Sequence, residues 1–88
     1  MRILEWPDTV TMWFDSGVPA RLVWRGRRYV VSDTPTALRE RLDFQVTTHP
    51  LDPIVGWRFQ GTADDGSTRV FDVQGSHRQE WRLVAVYD

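Results

Sequence analysis

The chain has 88 residues, no Cys, and a formal net charge of −1 at pH 7, with 41% apolar residues and five Trp. That is one domain near the lower end of what folds on its core alone, without a disulfide framework or a thiolate metal site. The charge balance argues against a generic polyanion binder, no apolar run is long enough for a helical membrane span, and the N-terminus lacks the h-region of a signal peptide, so the expected compartment is the cytoplasm.

Taken in chain order, Thr9–Phe14 alternates and reads as a first strand, with Val10, Met12 and Phe14 on one face and Thr9, Thr11 and Trp13 on the other. Asp15-Ser16-Gly17-Val18-Pro19 ends it with turn residues. Next come two β-rich runs around Gly26-Arg27, which read as a hairpin with a two-residue type II′ loop. This loop pairs Trp24 with Tyr29 and Leu22 with Val31. Leu22, Trp24, Tyr29 and Val31 then form a core face, and Arg21, Val23, Arg25, Arg28 and Val30 a basic face.

The period changes at 32–42. Thr34 as N-cap, Pro35 at the first helical position and Leu38 and Leu42 four apart predict one short helical insert. Asp43–Thr48 reads as extended, and Pro50 and Pro53 keep their neighbours out of helical geometry. Ile54–Gln60 is a fourth strand with Val55, Trp57 and Phe59 aligned, and Thr68–Val73 a fifth with Phe71 and Val73 aligned. A three-residue Asp64-Asp65-Gly66 loop sets Phe59 opposite Phe71 and Trp57 opposite Val73, with Gly66 in a left-handed G1 bulge. Glu80–Tyr87 closes the chain, with Trp81, Leu83, Ala85 and Tyr87 on one face and Val84 and Val86 on the other. Trp24, Trp57 and Trp81 are the expected core tryptophans. The fold class is all-β: a small rolled antiparallel sheet or SH3-like barrel of about six strands with one short helical insert.

Three stretches together carry a resemblance: Val23–Val31; Gly56–Phe59 with Asp65-Gly66 and Val70–Val73; and Trp81–Asp88. They resemble a bacterial family of small proteins of unknown function from GC-rich genomes, with a W-R-G-R-x-Y-x-V hairpin, a Gly-turned second hairpin and a closing W-R-L strand. The chain departs from that pattern at Phe71-Asp72-Val73, where Tyr-Asp-Leu is usual, and at Tyr87, where Trp is common; 34–53 lies outside it. The resemblance implies no catalytic residue. The family's genes are often found near those of error-prone DNA repair polymerases.

No enzyme is expected. Nucleophile elbow, P-loop and dinucleotide fingerprints are absent, and no cofactor or metal is implied: His49 and His77 lack companion ligands at metal spacing, and Asp64–Ser67 lacks the ligand pattern of a calcium loop. Asp72, between Phe71 and Val73, is expected to pair with Arg58 or Arg82. The candidate binding surface is Arg21, Val23, Arg25, Arg28 and Val30, with Arg27 at the turn tip. A mixture of Arg and apolar residues suits a protein partner, and Trp6 and Trp13 are further anchors wherever they are exposed. The alternative is a nucleic-acid accessory using the same Arg residues, although hairpin parity puts Trp24 and Tyr29 on the opposite face. An ordinary solvated strand face has the same composition.

Overall fold

The computed structural model describes residues 2–39, 54–75 and 80–87, the side chains of 2–7 excepted. Seven strands run β1 (Arg2–Asp15), β2 (Val18–Trp24), β3 (Arg27–Val31), β4 (Thr36–Arg39), β5 (Ile54–Ala63), β6 (Thr68–Gly75) and β7 (Trp81–Tyr87). All neighbours are antiparallel, in the order β3-β2-β1-β7-β6-β5-β4, and a β3–β5 pairing closes six of the strands into a small barrel. Closure satisfies the backbone edges that an open sheet of this size would expose. No helix among the described residues is long and apolar enough to cross a membrane.

Alternation within each strand fills the barrel. Leu22, Phe59, Phe71, Val73, Leu83 and Val86 are fully buried. Phe71 sits among three rings, with centroids 4.8 Å from Tyr29, 5.9 Å from Phe59 and 6.1 Å from Trp24. The approach of Phe71 to Tyr29 requires that Gly61 carry no side chain: a Cβ there would lie 2.9 Å from the Phe71 ring and 3.0 Å from Tyr29 Cβ. Trp57 and Trp81 are half-buried and pack against the core from its margin, so of the three expected core tryptophans only Trp24 is buried.

Two hairpin loops have two residues, both in the left-handed region: Ser16-Gly17 (φ 53° and 82°) and Arg25-Gly26 (φ 52° and 76°). This is the type I′ arrangement, whose twist matches that of the flanking strands. The second loop corrects the expected Gly26-Arg27 turn. Leu22 pairs with Tyr29 and Trp24 with Arg27, two residues away from the predicted register. Because the side-chain period is two, this displacement leaves every paired residue on its expected face. The β5–β6 hairpin has the expected register, with Phe59 opposite Phe71 and Trp57 opposite Val73, and Gly66 at φ 84°.

The helical insert is not formed at 36–39, which is strand β4. Strand β3 reaches β5 only at 61–63, and β4 supplies hydrogen-bonding partners for 54–58. Between them, Ser32 N donates to Gln60 O (2.8 Å) and Gln60 N donates to the Asp33 carboxylate (2.8 Å). An unpaired β5 edge and the extended preference of Thr34 before Pro35 outweigh the local capping signal. The expected extended segment at 43–48, Leu42, and both histidines lie outside the described residues.

A bulge in β7 is the remaining correction. Asp72 pairs with Ala85 but Val73 with Leu83, so Val84 is the extra residue. Leu83 and Val86, three apart, both point inward, and Tyr87 turns outward rather than sharing Leu83's face.

Candidate interaction surface

The four arginines of the central hairpin separate into two environments. Arg25 occupies the left-handed turn position, off the face predicted for it. Its guanidinium carbon lies 4.9 Å from the Trp24 ring centroid, and its Nε donates to Asp8 Oδ2 at 3.0 Å. The buried Trp24 indole N–H donates to the same oxygen at 2.8 Å. The Trp24 hydrogen bond is the main cause of a lowered Asp8 pKa; partial burial opposes it and Arg25 assists. Arg27 lies in β3 rather than at the turn tip. It pairs with Asp65 and sits 5.9 Å from the Tyr29 ring centroid. Asp65 is itself fixed in the β5–β6 turn, accepting from Ser67 Oγ at 2.7 Å and Ser67 N at 2.9 Å. Both turn-proximal cations therefore tie the hairpin to the rest of the barrel.

Arg21, Val23, Arg28 and Val30 remain together on the outer face of β2 and β3, through the pairs Arg21–Val30 and Val23–Arg28. Neither Arg21 nor Arg28 forms an ion pair among the described residues. The tertiary structure adds a residue that hairpin reasoning left apart. Trp13 pairs directly with Arg21 across β1–β2 and is 49% exposed. An extra β2 residue, Ala20, sits between the Trp13–Arg21 and Phe14–Pro19 pairs, so β2 bulges just beyond this point. The ladder Trp13, Arg21, Val30, Thr62 thus crosses four strands on the outside of the barrel, and Val30 within it is 58% exposed. The signal for Trp13 was its parity with Thr9 and Thr11; the pairing partner was not legible locally. The Trp6 side chain lies outside the described residues.

Two other features lie apart from this face. Asp72, 7% exposed, forms the expected pair with Arg58, and the Tyr87 hydroxyl donates to it at 2.9 Å. These bonds hold three strands together, and both Asp72 carboxylate oxygens are engaged by them. A groove of about 580 Å³ between Met12, Phe14 and Trp81 has Glu80 as its only ionisable lining residue among the described residues. Among the described residues no cluster of His, Asp or Glu is placed to hold a metal ion.

Comparison with protein-family models, with curated proteins and with solved structures finds no match to the chain.

Proposed function

We propose that this is a non-catalytic, cytoplasmic interaction module that binds a protein partner through the outer β1–β2–β3 face. The observation that carries the reading is the Trp13–Arg21–Val30 ladder, with Val23 and Arg28 beside it. Trp and Arg are the residues most enriched among interface hot spots, and here they are exposed together with an apolar residue. A large side chain already in water on the strands of a closed barrel needs no backbone rearrangement to meet a partner, so less of the binding free energy goes into ordering.

A nucleic-acid accessory is the second reading, favoured by one observation: Trp13 lies on the same face as Arg21, as base stacking beside a phosphate contact requires. Against it stand the net charge of −1 and the use of Arg25 and Arg27 in internal ion pairs.

A photoreactive amino acid placed at position 30, with a control at position 74 on β6, tests the reading in cell extract. The expected result is a discrete protein adduct from position 30 alone. Cross-linking to nucleic acid, or no adduct specific to position 30, overturns it.

A further inference from the structure

Resting on that reading, we propose that the partner presents an extended acidic segment with carboxylates two residues apart and a large apolar side chain beside them. The first argument is charge. Each of the other hairpin cations has its own carboxylate, Asp8 for Arg25 and Asp65 for Arg27. Arg21 and Arg28 are paired with none among the described residues: the positions around them on the outer ladders are Thr11, Trp13, Val23, Val30, Thr62 and Thr68, and the exposed Asp64, one residue beyond the Tyr29–Ala63 pair on the Arg28 side, makes no ion pair. Asp15, the next acidic residue along β1, bonds to Ser16 and makes no ion pair. The face is a small cationic area on an otherwise slightly acidic chain, and it is complementary to carboxylates.

The second argument is spacing. Arg21 and Arg28 lie on adjacent strands and on ladders two residues apart. Strand separation of about 4.8 Å and a rise of about 3.4 Å per residue put their Cα atoms about 8 Å apart. Side chains at alternate positions of an extended peptide point the same way and are about 7 Å apart. Two carboxylates so spaced reach both guanidiniums, and each Arg can form a bidentate pair. Trp13 and Val30 flank Arg21 on the same ladder and supply apolar surface for the neighbouring side chain. Nucleic acid fits less well: two unpaired cations with an apolar residue between them do not make the run of phosphate contacts that a polyanion track requires.

Selection of a random dodecapeptide library against the intact protein tests the proposal. Asp or Glu at alternating positions next to an apolar residue is the expected enrichment. Trp13→Ala should weaken the selected peptide at least about tenfold, in the range of a hot-spot truncation. The double variant Arg21→Glu with Arg28→Glu should keep a wild-type melting temperature and select Lys- or Arg-containing peptides instead; Arg21→Gln with Arg28→Gln provides a second, uncharged variant. Selection of peptides without an acidic pattern, an empty selection, or acidic peptides indifferent to charge reversal overturns the proposal. So does tighter binding of a thymidine 20-mer with a steep log–log salt slope. If selected peptides cross-link at position 30 but carry no acidic preference, the partner chemistry is wrong and the face is right. If their cross-links map elsewhere, the face itself is wrong.

Discussion

Arg58 holds Asp72 by both carboxylate oxygens, Nε to Oδ1 at 2.7 Å and Nη2 to Oδ2 at 2.9 Å, directly across the β5–β6 ladder. Tyr87, from β7, completes the arrangement by donating its hydroxyl to Oδ2. The pair is asymmetric in exposure: the Arg58 side chain is half in water and the Asp72 side chain is almost enclosed. Removing Arg58 therefore leaves a nearly buried carboxylate with one remaining donor, whereas removing Asp72 leaves a cation that water can reach. Arg58→Met is expected to cost more than Asp72→Leu, each within about 1–3 kcal/mol. A double-mutant cycle in urea checks this, and equal single-variant losses with no coupling would contradict it.

The same cluster acts on Tyr87. The hydrogen bond to Asp72 is the largest cause of a pKa raised above the ordinary phenol value, which favours the protonated hydroxyl. A raised folded-state pKa contributes stability below the unfolded value of about 10 and loses it as pH rises through the folded value. Tyr87→Phe is thus expected to flatten the alkaline limb of the stability profile. Phenolate absorbance followed through the alkaline range shows whether Tyr87 titrates late.

Phe71 is the centre of the aromatic cluster, and Trp57 lies at its margin. Phe71→Ala should cost about 3–5 kcal/mol, and Trp57→Ala distinctly less, because part of its surface already meets water. Chemical denaturation of the two variants gives the order directly.

Gly61 and Gly66 are required for different reasons. At Gly61 a methyl group meets Phe71 and Tyr29 inside the barrel, so Gly61→Ala is expected to cost about 1–3 kcal/mol by overpacking. At Gly66 nothing lies near the position of a Cβ, but φ is +84°, so Gly66→Val is penalised through the backbone alone, by about 1–2 kcal/mol. Gly66→Asn should recover much of that loss, since Asn tolerates the left-handed region. Thermal melts of the three variants distinguish packing from backbone strain.

Asp65 sets an acid limit. The Ser67 hydroxyl, then the Ser67 N–H, lower its pKa from 3.8 to about 2, with Arg27 assisting and desolvation opposing. A depressed folded-state value means stability that is present above the unfolded pKa and lost as pH falls toward about 2. The difference in melting temperature between the wild type and Asp65→Asn should be constant above about pH 5 and shrink below it. A constant difference down to the acid limit would show that the turn bonds do not depend on the charge.

Much of the architecture follows from the order of residues alone. Phe59 and Phe71 stand directly opposite each other only with a three-residue turn ending in Gly66, so that hairpin is determined locally. The two faces of the central hairpin are equally robust, because even the displaced Arg25-Gly26 turn moves the register by two and keeps side-chain parity. An all-β barrel follows from these alternating runs. What needed the tertiary structure is every feature that depends on a distant partner. Residues 36–39 carry a helix signal nearby, but the open edge of β5 across from them makes them a strand. Val84 bulges, and Tyr87 turns outward, because Asp72 and Val73 of β6 set their spacing. Arg25 leaves the binding face because it takes the left-handed turn position, and Arg27 because the register pairs it with Trp24, while Asp8 and Asp65, far away in sequence, neutralise them there; Trp13 joins the face because β1 pairs with β2 at Arg21. Alternation reports which side of a strand a residue takes. Only the closed set of strand pairings, satisfying backbone groups and charges across the whole barrel, decides what it meets there.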